Sequence, residues 1–407
     1  MKCRHCGTTI HTTFLDLGST PPSNAYINAN DLSKPEITFP LRVLVCEECW
    51  LVQTEDFARA DDLFTSDYAY YSSTSSSWLE HASNYCTMIC DHLRLDKSSM
   101  VIEIASNDGY LLRNFVSSGI PCLGIEPTQG TAEMARKIGI PVLSKFFSQH
   151  LAEELVAKGQ QADLVIGNNV YAHVPDINDF TKGIKTLLKF GGTATMEFPH
   201  LMELLKFNQF DTIYHEHFSY LSLLAVQRII KNANLRIHDI EQLPTHGGSL
   251  RIYISHAADP RRISKNVIDI ERQEQEQGLD KLETYLQFQN RADKVKNDLL
   301  NFLIEQNEQG KKVVAYGAAA KGNTLLNYAK IKSDLLPFVC DAALAKQGKY
   351  LPGSKIPIYH PDILRAEKPD IVLILPWNIA SEVMQYTNYI REWNGQYAIA
   401  IPSMEIL

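Results

Sequence analysis

Twice along the chain, an apolar strand-like run is followed by a turn of small residues and then by a helical pattern. The first unit reads VIEIASNDGYLLRNF at residues 101–115, and the second reads KKVVAYGAAAKGNTLL at residues 311–326. Further strand-like runs and helical patterns follow each unit. Because strands that alternate with helices form parallel sheets, this arrangement predicts two separate α/β units in one chain.

The length of the chain agrees with several domains. It has 407 residues, whereas single domains hold roughly 100–200. We expect a β-rich module over residues 1–65, a central α/β domain over 66–240 and a second α/β domain over 241–407. Two antiparallel strands are expected near residues 231–256, and one long polar helix is expected near residues 266–309.

Composition limits the kind of partner. Hydrophobic residues make up 45% and charged residues 21%, which is typical of a globular domain. The net charge of −8 argues against nucleic-acid binding. The longest strongly apolar run, IVLILPW at residues 371–377, is far shorter than the roughly 20 residues that span a bilayer. We expect a cytoplasmic protein without a nucleic-acid or membrane partner, and the oligomeric state stays open, a monomer included.

Two CxxC pairs indicate a metal site. Cys3 and Cys6 form the first pair, and Cys46 and Cys49 follow after 39 intervening residues. In a reducing cytosol such pairs favour metal binding over disulfides, and four thiolates complete a tetrahedral Zn²⁺ shell without a position for water. We therefore expect structural zinc. Unliganded cysteines and a nucleic-acid-binding ribbon are the alternatives, although the surrounding residues are not strongly basic.

The first α/β unit carries a candidate cofactor site. Small residues between Glu103 and Gly109 let backbone amides approach a ligand, and Glu126 at the end of the next strand suits the two hydroxyls of a ribose. This pattern suits S-adenosylmethionine or a dinucleotide, and the lack of GxGxxG weakens the second. A turn without a ligand is the alternative. The expected cofactor-binding residues are Glu103, Ala105, Ser106, Asn107, Gly109, Glu126, Pro127, Asn168 and Asn169.

The second α/β unit carries a candidate phosphate site. In YGAAAKGNT at residues 316–324, helix-terminal amides and Lys321 suit a pyrophosphate, but the spacing does not fit an ATPase P-loop. THGGSLR at residues 245–251 adds a histidine, two glycines and an arginine suited to phosphate. A tight turn is the alternative. The expected substrate-binding residues are His246, Arg251, Gly317, Ala318, Lys321, Asn323, Asp341 and Trp377.

The stretch DTIYHEHFSYL at residues 211–221 groups the proton-carrying side chains Tyr214, His215, Glu216 and His217. Three interpretations are open: a zinc site, a general base, and a half-exposed strand without chemistry. On a strand, Tyr214 and Glu216 would lie on one face and the two histidines on the other.

Taken together, several motifs resemble the sugar-nucleotide C-methyltransferases of deoxysugar biosynthesis. They are CRHC…CEEC, DYAYYSSTSSSWLEHA, VIEIASNDGYLL, YHEH, HGGSLR and YGAAAKGNTLL, in order along essentially the whole chain. The resemblance implies a zinc-binding N-terminal module, a central Rossmann-like S-adenosylmethionine methyltransferase domain and a C-terminal Rossmann-like domain that helps to bind a nucleotide sugar. The reaction implied is methylation at C-3 of a dTDP- or GDP-linked 4-keto-6-deoxy sugar. The chain departs from the family at Ala105, where glycine is usual.

The same resemblance implies roles for individual residues. Tyr214, Glu216 and His217 match a Y-x-E-H element, His173 follows the central asparagines, and Tyr70, in the tyrosine-rich element at Tyr68–Tyr71, faces the substrate. Histidine suits a general base because its unperturbed pKa is about 6.5, so His217 is expected to remove the C-3 proton. Tyr214 and His173 are expected to donate hydrogen bonds to the enolate, and Glu216 to orient an imidazole or hold the substrate.

Two other function classes compete with this interpretation. One is an NAD-dependent sugar-nucleotide oxidoreductase or epimerase, against which the C-terminal unit lacks both GxGxxG and a Tyr-x-x-x-Lys pair. The other is a non-enzymatic zinc-ribbon binding module, which leaves the proton-carrying stretch unexplained. The identity of the nucleotide, the substituent at C-3 and the stereochemistry of methylation are left open by the sequence.

Overall fold

The computed structural model describes residues 1–57 and 72–407. Its strands are β1 Thr13–Thr20, β2 Ile27–Asn28, β3 Phe39–Val45, β4 Val52–Thr54, β5 Val101–Ile104, β6 Cys122–Ile125, β7 Val142–Leu143, β8 Ala162–Asn168, β9 Leu188–Pro199, β10 Ser219–Tyr220, β11 Leu235–Leu243, β12 Ser249–His256, β13 Val313–Tyr316, β14 Val339–Cys340, β15 Lys349–Tyr350, β16 Ile358–Tyr359, β17 Ile371–Ile374, β18 Gln396–Ile399 and β19 Glu405–Ile406.

The α-helices are α1 Ser76–Leu93, α2 Leu112–Ser117, α3 Gln129–Lys137, α4 Gln149–Ala157, α5 Ile177–Leu187, α6 Leu201–Lys206, α7 Leu223–Asn232, α8 Lys265–Glu276, α9 Leu282–Leu286, α10 Phe288–Glu308, α11 Ala320–Tyr328, α12 Ile363–Glu367 and α13 Ala380–Tyr386. Short 3₁₀ turns at Tyr171–His173, Phe210–Thr212, Thr245–Gly247 and Trp377–Ile379 lie near the site described below.

The N-terminal module is β-rich, as the sequence predicts. Strands β1, β3 and β4 form an antiparallel sheet, and β10 from the middle of the chain adds a fourth strand. The short strand β2 leaves this sheet and pairs with β15 of the C-terminal domain. The module is therefore joined by backbone hydrogen bonds to both of the other parts of the molecule.

The central sheet has seven strands in the order β11-β12-β9-β8-β5-β6-β7. The five strands β9, β8, β5, β6 and β7 are parallel to one another. Strands β12 and β11 add the predicted antiparallel pair. The sheet thus continues past residue 240, where the sequence pattern ended the central domain. The chain runs outward from β5 to β7 and then returns to β8, so the carboxyl ends of β5 and β8 form a topological switch point, where α/β sheets bind ligands.

The C-terminal sheet has six strands in the order β16-β14-β13-β17-β18-β19, with only the last pair antiparallel. This is the second α/β unit expected from the sequence. Its first strand, β13, lies between β14 and β17, so its switch point is the loop that leads from Tyr316 to helix α11.

One expectation about helices is wrong. Residues 266–309 form three helices, α8, α9 and α10, instead of one long polar helix. Gly278 has a φ of +73°, a left-handed conformation that glycine adopts readily and that ends a helix. Helix α10 packs into the protein, since its buried side chains include Phe288, Val295 and Leu299.

One hydrophobic core joins the N-terminal sheet to helix α10 and the C-terminal sheet. In it, the ring of Phe14 stacks on that of Phe288 with 4.9 Å between the centroids. The central sheet has its own core on each face. Among the residues described, none of the helices combines the length and apolar character required to cross a membrane.

Candidate active site

The four expected metal ligands lie together in the N-terminal module. The Sγ atoms of Cys3, Cys6, Cys46 and Cys49 are all within 4.8 Å of one another, and the pairs Cys3–Cys49 and Cys6–Cys46 are each 3.5 Å apart. A tetrahedral Zn²⁺ with bonds of about 2.3 Å places its thiolates roughly 3.8 Å apart. The four sulfurs therefore fit a structural zinc ion.

A cavity of about 650 Å³ lies where the three parts of the molecule meet. Its wall includes Asn24 from the N-terminal module, Glu126 from the central domain and Lys321 from the C-terminal domain. This volume is in the range of small-molecule sites. The switch points of both α/β sheets open into it, because Ala105 follows β5 and Ala319 precedes α11.

One end of the cavity has the features expected for an adenosyl ligand. Ala105 and Asn107 have φ angles of 58° and 50°, so the loop after β5 adopts the tight left-handed turns that glycine usually supplies. The carboxylate of Glu126 accepts hydrogen bonds from the backbone N–H groups of Asn107 and Thr128, each at 2.9 Å. Pro127 lies beside it on the wall.

The asparagine pair after β8 offers unsatisfied polar groups to a ligand. Both amide atoms of the Asn168 side chain, and Oδ1 of Asn169, are buried and have no hydrogen-bond partner among the described residues. Both residues line the cavity. Since buried polar groups are nearly always paired, these atoms indicate a polar ligand, and the residues at this end fit the adenosyl cofactor expected from the sequence.

Three of the expected cofactor residues support the loop and do not line the cavity. Glu103 is buried within β5, and burial, together with the charges of Glu126 and Asp108, raises the pKa of its carboxyl well above the ordinary value. Ser106 is fully buried. A side chain at Gly109 would collide with Ile140, so this glycine permits close packing.

The proton-carrying stretch is a turn and not a strand. The N–H of His217 donates to the carbonyl oxygen of Tyr214 at 3.0 Å, and the turn lies between the 3₁₀ turn Phe210–Thr212 and β10. Tyr214, Glu216 and His217 line the cavity. His215 points elsewhere, with Nε2 at 3.3 Å from the carbonyl oxygens of Phe39 and Pro40. The side chains of this stretch therefore do not alternate between two faces, as they would on a strand.

Hydrogen bonds orient the two imidazoles beside this turn. The Nδ1 atom of His217 lies 3.0 Å from the carbonyl oxygen of Thr212, and that of His173 lies 2.8 Å from the carbonyl oxygen of Glu216. Burial, with the neighbouring His173, holds the pKa of His217 well below 6.5, and burial lowers that of His173 to about 4. Both rings are neutral near pH 7, with the proton on Nδ1 and a lone pair on Nε2.

This tautomer alters what His173 can do. A neutral ring that donates through Nδ1 presents an acceptor at Nε2, whereas the sequence led us to expect a donor to the enolate at this residue. The rings of His173 and His217 meet edge-on with centroids 4.5 Å apart, which helps to fix the His217 ring. The tyrosine-rich element with Tyr68, Tyr70 and Tyr71 lies outside the described residues.

Cationic groups occupy the end of the cavity formed by the C-terminal domain. The Nζ atom of Lys321 donates to Oδ1 of Asn378 at 2.6 Å and lies 4.6 Å above the ring of Trp377. Burial lowers the pKa of Lys321, and the charge of Asp211 partly offsets this. Helix α11 begins at the neighbouring Ala320, and its N-cap residue Ala319 offers no side-chain cap. Its first amides are thus suited to an anion.

Other residues expected to bind substrate have different partners. The guanidinium of Arg251 is buried and pairs with Glu197 at 2.7 Å and Glu241 at 2.8 Å, so it is not available to a phosphate. The amide of Asn323 donates to the carbonyl oxygen of Ser23 at 2.6 Å. The indole N–H of Trp377 donates to Asp211 at 2.8 Å. None of Arg251, Asn323 and Trp377 lines the cavity.

Of the remaining expected residues, Gly317, Ala318 and Asp341 support the wall from behind, whereas His246 belongs to it. Asp341 accepts from the backbone N–H of Ala318 at 2.8 Å, and Gly317 has a φ of +93° with Pro376 packed where a side chain would lie. His246 does line the cavity, and the amide of Asn169 donates to its Nε2 at 3.0 Å. Burial lowers the pKa of His246 to about 4.

Among the wall residues that the sequence analysis did not predict are two polar ones, Asn24 and Lys346. Asn24 lies after the Pro21–Pro22 pair and contacts Glu216, 192 positions away in the chain. Lys346 lies in a loop, where its Nζ donates to the carbonyl oxygen of Ala318 at 2.8 Å. Neither belongs to a local motif, so only their three-dimensional neighbours identify them.

Comparisons with known proteins match the whole chain. A family model of a zinc binding domain matches residues 3–64, a methyltransferase domain matches 78–240, and a C-methyltransferase C-terminal domain matches 244–402. The C-methyltransferase NovU from Streptomyces niveus is 33% identical over 409 residues, which cover 100% of this chain and 96% of that protein.

Solved structures match less than half of the chain, at low identity. An S-adenosylmethionine-dependent methyltransferase from Clostridium acetobutylicum is 11% identical, with a TM-score of 0.36, covering 44% of this chain and 92% of its own. Magnesium protoporphyrin IX methyltransferase from Synechocystis, solved with bound S-adenosylmethionine, is 12% identical, with a TM-score of 0.32, covering 43% and 79%.

Proposed function

The chain belongs to the S-adenosylmethionine-dependent C-methyltransferases that carry an N-terminal zinc-binding domain, and from this premise we propose that it methylates C-3 of a nucleoside-diphosphate 4-keto-6-deoxy sugar. The observation that supports this most strongly is a single cavity with the adenosyl-type loop at one end, the Tyr214–His217 turn on its wall and two half-buried lysines beside a helix N-terminus. The oxidoreductase and zinc-ribbon alternatives lose their support, because the family is one of methyltransferases.

In this proposal the loop after β5 and the residues at the ends of β6 and β8 hold the cofactor. Glu126 faces the ribose hydroxyls, and Asn168 and Asn169 supply amide groups to the polar atoms of the ligand. Bound there, S-adenosylmethionine supplies an electrophilic methyl group on its sulfonium. Its carbon acceptor must therefore become nucleophilic, and that task belongs to the residues of the Tyr214–His217 turn.

His217 is proposed as the general base. A ketone at C-4 makes the C-3 proton acidic, because the charge left on C-3 delocalises onto the C-4 oxygen. A neutral imidazole with its proton on Nδ1 has a lone pair on Nε2 that can take the C-3 proton, and the hydrogen bond to Thr212 stabilises the positive charge that results. The depressed pKa of His217 keeps the ring in this basic form at neutral pH.

Stabilisation of the enolate oxygen is assigned to Tyr214. The centroid of its ring lies 4.0 Å from that of the His217 ring, so both side chains are within reach of one substrate. A phenol is a hydrogen-bond donor, and one good donor to a developing oxyanion contributes roughly 3–4 kcal/mol. Glu216, on the same turn, is proposed to hold the sugar through a polar group near the reacting carbon.

The diphosphate is proposed to bind at Lys321 and Lys346, with the first amides of helix α11. These two cations face a shared cavity in a chain whose net charge is −8, which is the local concentration of positive charge that a phosphate group requires. The nucleotide preference, the hydroxyl or amine at C-3 and the stereochemistry are not part of this proposal.

The test is incubation with S-adenosylmethionine and a panel of dTDP- and GDP-linked 4-keto-6-deoxyhexoses. Mass spectrometry should find one added methylene unit, and NMR should place it at C-3. The matching sugars with a C-4 hydroxyl are the control, because without the ketone no enolate forms. Methylation of these alcohols, or of none of the panel, contradicts the proposed function.

A further inference from the structure

The side chain of Asn24 connects the zinc-binding module to the catalytic turn. Its Nδ2 atom lies 2.8 Å and 3.0 Å from the two carboxylate oxygens of Glu216. Both residues line the cavity, and Glu216 is only 3% exposed. A hydrogen bond to a charged group is stronger than one between neutral groups, so Asn24 fixes the direction in which this carboxylate points.

The backbone around Asn24 is held by the C-terminal domain. The amide of Asn323 donates to the carbonyl oxygen of Ser23 at 2.6 Å. The hydroxyl of Tyr26 donates to the carbonyl oxygen of Ala318 at 2.5 Å. The next strand, β2, then pairs with β15. Asn24 is thus fixed on both sides by the loop and helix that carry Lys321.

The same helix also holds the start of the catalytic turn. The hydroxyl of Thr324 in α11 donates to the carbonyl oxygen of Ile213 at 2.8 Å. The anion-facing helix, the segment of the N-terminal module around Asn24 and the turn that carries Glu216 therefore form one connected unit.

We propose that Asn24 is a positioning residue for methyl transfer, which aims the Glu216 carboxylate at the acceptor and so makes the zinc-binding module a part of the active site. This inference rests on the proposed function, in which Glu216 faces the sugar.

The first experiment is a double-mutant cycle on kcat, measured with the acceptor that the wild type methylates. Asn24→Ala should lower kcat by about 10- to 100-fold, as expected for a lost hydrogen bond to a charged group. In a chain that already carries Glu216→Ala, the Asn24 substitution should cost nothing more, because no carboxylate remains to be positioned. If the double variant instead shows the product of the two single-variant losses in kcat, the inference is overturned.

The second experiment uses pH, which a purely structural role would not change. Asn24→Asp places a carboxylate against Glu216, and two such groups at this distance share one proton. Activity of this variant should approach the wild-type rate at low pH and fall as pH rises through the raised pKa of the pair. Asn28→Asp is the matched control, since exposed Asn28 in the same module also faces a carboxylate, that of Asp31 at 3.4 Å.

The outcomes separate the two proposals. Suppose that the wild type methylates a sugar of the panel. If Asn24→Ala then keeps the full rate, or Asn24→Asp keeps the wild-type pH profile, only the role of Asn24 is overturned. A wild type that methylates no keto sugar of the panel contradicts the proposed function, and the role of Asn24 falls with it.

Discussion

The Nδ1 atom of His217 lies 3.0 Å from the carbonyl oxygen of Thr212, and this one contact sets the chemistry of the ring. It places the imidazole proton on the nitrogen that faces the backbone, and it leaves the lone pair on Nε2. It would also stabilise the positive charge of an imidazolium through the carbonyl oxygen. This arrangement is the one that the proposed role of His217 as a base requires.

Replacement of His217 by asparagine should abolish most of the methyl transfer. An asparagine amide can still donate toward Thr212 but has no basic nitrogen, so kcat should fall by about 10²- to 10⁴-fold. Calorimetric binding of S-adenosylhomocysteine should stay near the wild-type affinity. The control is His215→Asn, which alters a ring directed at Phe39 and Pro40 and should retain turnover. Equal losses in both variants would point to a disturbed turn and not to a missing base.

The pH dependence of kcat/KM should be bell-shaped, with both limbs displaced. Because burial lowers the pKa of His217, the base stays active below pH 6.5 and is lost only as pH falls through its depressed pKa. Burial likewise lowers the pKa of Lys321 from its ordinary value of 10.5. As pH rises, Lys321 should therefore lose its charge, and phosphate binding should weaken, before pH 10.5 is reached. Lys321→Arg should move the alkaline limb upward, since arginine stays charged. An unchanged alkaline limb in this variant would remove Lys321 from phosphate binding.

Cofactor binding should depend on the Glu126 carboxylate. A glutamine at this position keeps one acceptor oxygen, but its NH₂ group must face the backbone N–H of either Asn107 or Thr128, so that two donors meet. Glu126→Gln should therefore weaken S-adenosylhomocysteine by about 10- to 100-fold, the effect of a charged hydrogen bond. Glu133→Gln, on the exposed face of the following helix α3, should bind normally. Calorimetry that finds the two variants alike would contradict the assigned cofactor site.

The zinc site should stabilise the fold. Cys6→Ser should reduce the zinc content, measured by elemental mass spectrometry, and should lower Tm, because it removes one of four thiolates. Cys90→Ser is the control: Cys90 is half-buried in helix α1 and outside the tetrad. A Cys6 variant that keeps full zinc and the wild-type Tm would contradict the four-thiolate assignment.

Local patterns predicted the parts of the fold that depend on local residues. The alternation of strands and helices predicted both α/β units, and Glu126 was found at its strand end because position along a strand sets position on the sheet edge. The sequence left the Tyr214–His217 stretch open between a zinc site, a general base and a half-exposed strand, and it did not predict the turn, since the hydrogen bonds of the turn reach Thr212 and Phe39, which local periodicity does not report.

Long-range partners explain the rest. Arg251 reads as a phosphate ligand in the sequence, but Glu197 and Glu241 on neighbouring strands neutralise it. Asn24 carries no motif at all, and its role depends on a carboxylate 192 positions later. Such pairs follow from how the three parts of the molecule pack, and one sequence without its structure does not contain that packing in readable form.

The most direct test of the account is proton exchange at C-3 in the absence of methyl transfer. The enzyme is incubated in D₂O with S-adenosylhomocysteine and the 4-keto-6-deoxy sugar that it methylates, and NMR follows the C-3 proton, with the C-5 proton as an internal reference on the other side of the ketone. The account predicts that the wild type replaces the C-3 proton by deuterium selectively, and that His217→Asn does not. Exchange at C-3 by His217→Asn at the wild-type rate, or no selective exchange by the wild type, would contradict it.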